Sequence, residues 1–221
     1  ITYYPEGVQG SEEWAALRCG RLTASEMKLI LTPTLKIASN DKERSHLFEL
    51  LAQRVTGYVE PAYVSSDMLR GVEDEFEAKK LYSEKYAATT DVGFVTNDSW
   101  GFDVGYSPDA VIGDDGLIEC KSRRMKFHVQ TIIEGVVPDE FMLQTQTGLF
   151  VTDRKWCDFV SWCGGLPMYV KRVFPDPTIQ QAIRLAATQF EERLEDRMRD
   201  YKLSSAGLIP TERKIVQEMY V

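Results

Sequence analysis

Histidine is nearly missing from this chain: His46 and His128 are the only two in 221 residues. That argues against a multi-histidine metal site or a histidine-based nucleophile triad. The four cysteines, Cys19, Cys120, Cys157 and Cys163, contain no CxxC pair of zinc-like spacing, so no zinc module is indicated. Reduced, buried thiols are expected instead, which fits a cytoplasmic setting. No apolar run approaches the ~20 residues that a membrane-crossing helix needs. No secretory signal is visible in the sequence, which begins at Ile1, and there are no internal repeats or low-complexity tracts. A basic surplus is lacking as well. The formal net charge of −8 has the wrong sign for the footprint of most nucleic-acid binders. It opposes a DNA-directed role unless DNA contacts are confined to a lined groove or channel while the exterior stays acidic.

The residues that are present describe an ordinary globular protein, 43% hydrophobic and 27% charged. Residues 1–221 read as a single domain with a full core, and from about residue 203 as a tail that is mobile or contacts a subunit. The most informative stretch runs from Tyr106 to Lys121. Val111-Ile112 and Leu117-Ile118 flank Gly113-Asp114-Asp115-Gly116, which predicts an antiparallel hairpin. Closing the hairpin brings Asp109 beside Glu119. Glu119 and Lys121 then share one strand face, and Cys120 turns toward the core. Converging carboxylates suit a hard cation such as Mg²⁺ or Mn²⁺. A lysine beside them orients or deprotonates an attacking water, or stabilises developing negative charge. Phosphodiester hydrolysis uses all of these parts. The pattern resembles the PD-(D/E)XK nuclease motif, here Pro108-Asp109 and Glu119-Cys120-Lys121.

Upstream, Ser11-Glu12-Glu13-Trp14 starts a short helix with Ser11 as cap, and Arg18 lies about one turn past Trp14. Thr23-Ala24-Ser25-Glu26 matches a capping box opening a helix that stops near Pro33. Thr23 would occupy the Glu26 amide, leaving the amides of Ala24 and Ser25, the Ser25 hydroxyl and Arg18 as a competent phosphate site. Helical spacing predicts a scaffold helix from Asp41 to Thr56, stopped by Gly57. A longer helix is predicted from Asp67 to Tyr86, with Met68, Val72, Phe76 and Tyr82 mostly on its core face and Glu75 beside it, within reach of a cleft. Strands follow from Asp91 to Thr96 and from Trp100 to Tyr106, where Gly101 and Gly105 suggest close backbone approach. Past the cluster Lys121, Arg123, Arg124 and Lys126 come a helix from Met125 to Glu134 and a second from Phe141 to Val151, capped by Asp139. The second carries Gln144 and Gln146, and a buried glutamine near a metal cleft holds water or phosphate without adding charge. Two closing strands run from Trp156 to Cys163 and from Met168 to Phe174. Asp176-Pro177 opens a long final helix whose stripe Ile179, Ile183, Ala186, Phe190, Leu194 and Met198 is core or subunit contact.

Taken in order, Trp14-(x3)-Arg18-(x4)-Thr23-Ala24-Ser25-Glu26, Gly71-(x3)-Glu75, Ser107-Pro108-Asp109, Glu119-Cys120-Lys121 and Gln144-Thr145-Gln146 resemble the bacteriophage lambda exonuclease family of YqaJ-type viral recombinases, over roughly Ser11 to Phe174. The resemblance implies an α/β, restriction-endonuclease-like fold, a central mixed β-sheet flanked by helices. It implies a Mg²⁺-dependent phage or prophage exonuclease, cytoplasmic in a bacterial host, that degrades one strand of linear double-stranded DNA from its 5′ end to mononucleotides. The 3′ overhang would pass to a single-strand annealing protein, and a homotrimeric ring would enclose the DNA. Residue by residue, Asp109, Glu119 and the Cys120 backbone carbonyl would hold metal, with two ions expected and Mn²⁺ able to substitute. Glu75 would assist the second ion, Lys121 would activate the water, Gln144 would stand close to the centre, and Arg18 and Ser25 would hold the 5′-phosphate. Two positions depart from the pattern. Phe141 stands where a tyrosine is expected, so any hydroxyl contact there is lost or supplied elsewhere, and Gly148 replaces the aromatic of the Gln-xxx-Tyr pattern of RecB-like relatives. The alternatives are a structure-specific or restriction-type endonuclease using the same residues, and a non-catalytic DNA-end-binding subunit that keeps the fold.

Overall fold

In the computed structural model, which describes residues 1–61 and 65–213, the strands in chain order are β1 (Thr2–Tyr4), β2 (Leu22–Thr23), β3 (Phe94–Asn97), β4 (Val104–Tyr106), β5 (Ala110–Ile112), β6 (Gly116–Ser122), β7 (Trp156–Trp162) and β8 (Tyr169–Val173). The helices are α1 (Glu12–Arg18), α2 (Met27–Ile30), α3 (Asp41–Thr56), α4 (Ser66–Lys85), α5 (Met125–Glu134), α6 (Asp139–Thr152) and α7 (Pro177–Ser204). The mixed α/β fold is as expected, with its strands divided between two four-stranded sheets ordered β1-β3-β4-β2 and β5-β6-β7-β8. The predicted hairpin is β5 and β6, with Ala110 opposite Ile118 and Ile112 opposite Gly116. β6 then runs parallel to β7. A parallel pair cannot be joined by a tight turn, and α5 and α6 make the crossover.

Three apolar clusters hold these layers. Phe190, Ile183, Ala186 and Leu194 of α7 pack with Leu47, Leu50 and Leu51 of α3 and with Met27 and Ile30 of α2, so the predicted stripe of the last helix is core. Leu117, Cys157 and Phe159 meet Val95, Val104 and Tyr106 of the first sheet and Leu149 of α6. Ala78 and Tyr82 of α4 cover Ala110, Ile118, Cys120 and Val160. Gly105 has the close approach expected of it, because a Cβ there would meet the Phe94 ring at 2.3 Å. Gly101 instead supplies a turn, with φ +86° and open space around it. No helix among the described residues is long and apolar enough to cross a membrane.

Several boundaries and faces differ from the sequence reading. The segment after Thr23 is a 3-10 turn (Ala24–Glu26) followed by the four-residue α2, which ends at Ile30. Helix α6 begins at Asp139 with Pro138 in the capping position. The largest change is the orientation of α4. Met68, Val72 and Phe76 are exposed, whereas Ala78 and Tyr82 are buried. Positions 75, 78 and 82 lie about one helical turn apart, with Ala78 and Tyr82 buried, so Glu75 faces the cavity and Phe76 does not. The part of the expected tail at 214–221 lies outside the described residues. Arg213 stacks on Tyr58 at 3.8 Å from the ring centre.

Asp158 of β7 ties the second sheet to α4. Its carboxylate accepts from Arg172 Nε and Nη2 at 2.8 Å each and from the Tyr82 hydroxyl at 2.5 Å. Arg172 also lies over the Trp156 ring. Asp158→Ala leaves the buried Tyr82 hydroxyl without its acceptor and is expected to lower stability by about 2 kcal/mol. Urea unfolding checks this, and an unchanged midpoint would remove the network from the account of stability.

Candidate active site

Strand alternation sets the centre of the site. On β6, Glu119 and Lys121 face one way, and Cys120, between them, faces the α4 cluster. Glu119 is fully buried, yet its carboxylate is well supplied. Oε1 accepts from Gln144 Nε2 at 2.6 Å and lies 2.5 Å from Lys121 Nζ, and Oε2 accepts from the Tyr106 hydroxyl at 2.6 Å. Such pairing is what allows a charge to persist away from water. Asp109, just ahead of β5, accepts the Cys120 N–H on Oδ2 at 2.5 Å. The two ends of the hairpin therefore meet, as the turn chemistry predicts.

Glu75 enters from α4, and Lys79, one turn further on, lies 3.3 Å from it. Lys79 also donates to the Asp109 carbonyl oxygen and to Asp91. This lysine escaped the sequence reading, although its i,i+4 spacing from Glu75 is a signal for pairing. Tyr106 escaped it too, because nothing about a tyrosine at the end of a short strand marks its hydroxyl as a ligand of Glu119. Gln146 turns away from the site. It donates to the Phe174 carbonyl and accepts from the Asp176 amide, locking α6 to the start of α7. Arg123 pairs with Glu140 and lies against the Phe127 and Phe141 rings, whereas Lys121, of the same basic cluster, lies at Glu119. Phe141, where a tyrosine was expected, stacks on Phe159 and offers its face to Lys121 and Arg123.

Arg18 and Ser25 lie on the same cavity wall. One cavity of about 250 Å³ is lined by both of them together with Glu75, Tyr106, Asp109, Glu119, Lys121 and Gln144. Arg18 is held from two sides, by Glu26 Oε1 at 3.1 Å and by the Trp14 ring at 4.6 Å from its centre. Trp14 is fixed in turn by its indole N–H on the Ser107 hydroxyl at 2.7 Å. Glu26 Oε2 accepts from the Thr23 amide and hydroxyl. The predicted capping residues thus orient the arginine.

The electrostatics are those of a crowded acidic site. Burial, then the charges of Glu119 and Glu75, push the Asp109 carboxyl well above the ordinary carboxylate range. Burial also raises Glu75 against the pull of Lys79. Burial disfavours the Lys121 ammonium, but the charges of Glu119 and Asp109 outweigh it and hold its pKa above the usual lysine range. A set of carboxylate oxygens that destabilise one another fits a hard dication, which would neutralise them. Among the described residues no three His, Cys, Asp or Glu side chains already stand in ligating array. Cys120 N–H, Lys121, Gln144 and Lys79 occupy the acidic side chains instead.

Other proteins share the fold to different degrees. The alkaline exonuclease LHK-Exo of Laribacter hongkongensis matches with TM-score 0.80 and 31% identity, over 90% of this chain and 100% of that one. LHK-Exo in complex with dAMP matches with TM-score 0.81 and 32% identity, again over 90% and 100%. A phage related exonuclease from Haemophilus somnus 129PT shares 15% identity and a TM-score of 0.57 over 84% of this chain and 99% of that one, a likeness of fold alone. No curated protein sequence matches significantly. The YqaJ-like viral recombinase domain model matches residues 13–155, a span that contains Arg18, Ser25, the carboxylates, Lys121 and Gln144, and the chain belongs to that family.

Proposed function

We propose that this protein is a DNA exonuclease that uses a divalent metal, Mg²⁺ or Mn²⁺, to degrade the 5′-ended strand of linear duplex DNA to mononucleotides. Family membership and the likeness to an alkaline exonuclease along the whole of that chain support the nuclease class. The observation that carries the end-directed reading is that Arg18 and Ser25 share one cavity of about 250 Å³ with Asp109, Glu119 and Lys121. A volume below the usual range for ligand pockets suits a single nucleotide better than a duplex. A relative has been crystallised with dAMP, a molecule of that size.

In this reading Asp109, Glu119 and the Cys120 carbonyl hold the metal, with Glu75 assisting a second ion. The bound metal supplies Lewis acidity and lowers the pKa of water. Gln144 keeps Glu119 oriented. Lys121 directs the attacking water and stabilises negative charge developing on the phosphate. Arg18 and Ser25 fix the terminal 5′-phosphate, so that the next phosphodiester is the one cut. The family resemblance extends the proposal to a homotrimeric ring, a single-strand annealing partner that receives the 3′ overhang, and a bacterial cytoplasm. DNA enclosed in a channel is compatible with a net charge of −8.

The test is nucleotide release from three duplexes, linear with a 5′-phosphate, linear with a 5′-hydroxyl, and covalently closed circular, each with Mg²⁺ or EDTA. The expected result is Mg²⁺-dependent release from linear DNA, faster with the 5′-phosphate and absent on circles. In Arg18→Ala the 5′-phosphate substrate should slow by about tenfold, toward the 5′-hydroxyl rate, the scale of a charge-assisted hydrogen bond. Cleavage of circles would replace the exonuclease with an endonuclease. No cleavage of any substrate would leave a DNA-end-binding subunit.

A further inference from the structure

Tyr106 is buried, only 1% exposed, and its hydroxyl donates to Glu119 Oε2 at 2.6 Å. The ring reaches this position because residue 148 has no side chain. A Cβ at Gly148 would stand 2.7 Å from both Cε1 and Cζ of Tyr106. A phenol from β4 thus fills the space that Gly148 leaves on α6.

The consequence follows from counting acceptor sites. An ionised carboxylate offers about four lone pairs. Gln144 and Lys121 use Oε1, and Tyr106 uses one lone pair of Oε2. One lone pair is left. We infer that Tyr106 is a positioning residue that confines Glu119 to a single ligating lone pair, and that the Tyr106–Gly148 pair thereby biases the site toward small, strictly octahedral cations and away from Ca²⁺. Ca²⁺ accepts bidentate carboxylates and irregular geometry, whereas Mg²⁺ and Mn²⁺ sites favour monodentate oxygen ligands in a regular octahedron. The inference rests on the proposal that Glu119 holds metal.

The test is calorimetric titration of Mn²⁺ and of Ca²⁺ into the DNA-free protein, which needs no turnover. Tyr106→Phe keeps the ring packed and removes only the hydroxyl. Mn²⁺ binding should weaken by about tenfold, as for other outer-shell partners of a metal ligand. Ca²⁺ binding should hold or tighten, so the preference for Mn²⁺ falls about tenfold. Affinity for a DNA end in EDTA should not move, because the Tyr106 hydroxyl is turned to Glu119 and Arg18 and Ser25 are untouched. Gly148→Ala should weaken Mn²⁺ in the parent protein and add little in the Tyr106→Phe background, a non-additive cycle. Two results overturn the inference. If Glu119→Gln abolishes Mn²⁺ binding but Tyr106→Phe leaves both ions at parental affinity, the role of Tyr106 is lost and the metal site stands. If the parent protein binds no Mn²⁺, the metal reading falls and this inference with it.

Discussion

Asp109→Asn is expected to release nucleotides at least 10³-fold more slowly than the parent, with Mn²⁺ binding weakened about 100-fold. The substitution keeps an acceptor for the Cys120 N–H, which Asp109 Oδ2 now takes at 2.5 Å, so the entry to the hairpin should be preserved. What disappears is one negative charge from the group formed with Glu119 and Glu75. In the metal-free protein that charge is unfavourable, because burial and both neighbouring carboxylates disfavour the ionised form of Asp109. The variant should therefore unfold at the same temperature as the parent or higher. Loss of activity at undiminished thermal stability would mark Asp109 as a residue kept for chemistry, not for folding. Parental rates of nucleotide release in Mg²⁺ would sink the metal centre as drawn here.

Lys121→Ala should lower the single-turnover cleavage rate by about 10³-fold while DNA affinity changes little. Lys121 Nζ lies 2.5 Å from Glu119 Oε1, and the Lys121 side chain is about one-fifth exposed and lines the cavity, so it bridges the buried carboxylate and the cavity. Removing the ammonium deletes the cation beside the reacting phosphate. It also deletes a competitor for Glu119, so Mn²⁺ affinity should not fall. Here the loss of a charge outweighs the freed lone pair, unlike at Tyr106, where the donor is neutral. A slow enzyme that binds metal and DNA as before separates a role in the reaction from a role in assembly. Cleavage within a few-fold of the parent would show that the water is directed by some other group.

Much of the scaffold was legible because it depends on local rules. Helices α3 and α5 begin and end where spacing and turn residues place them, and Gly57 ends α3 in the left-handed conformation. The hairpin is legible for the same reason: apolar runs around a Gly-Asp-Asp-Gly turn leave Asp109 and Glu119 at its two ends. The motif order from Trp14 to Gln144 was legible as a family resemblance, and residues 13–155 match that family. The face that α4 presents was not. Two stripes of that helix are plausible seams, one with Met68, Val72 and Phe76 and the other with Gly71, Glu75, Ala78 and Tyr82. Only the sheet beneath selects between them. Ala78 and Tyr82 fit over β5, β6 and β7, and Glu75 is carried inward with them. Gln144 and Gln146 pose the same problem in miniature, since both are suitable amides and helical rotation sends one to Glu119 and the other to the start of α7.

By itself, then, the sequence determined the type of most elements (though not the short strands β1 and β2), the meeting of the Asp109 and Glu119 ends of the hairpin, and which residues are candidates for metal and phosphate chemistry. These follow from interactions a few residues apart, or from strand alternation on one hairpin. Tertiary structure alone decided which helix face carries Glu75 inward, that Glu26 and Trp14 grip Arg18 at the cavity wall, and that Tyr106 reaches Glu119 through the space at Gly148. Each of these depends on which surfaces are brought together across the chain. Contacts such as Tyr106 with Gly148, or Trp14 with Ser107, leave no periodic signal in the order of the residues.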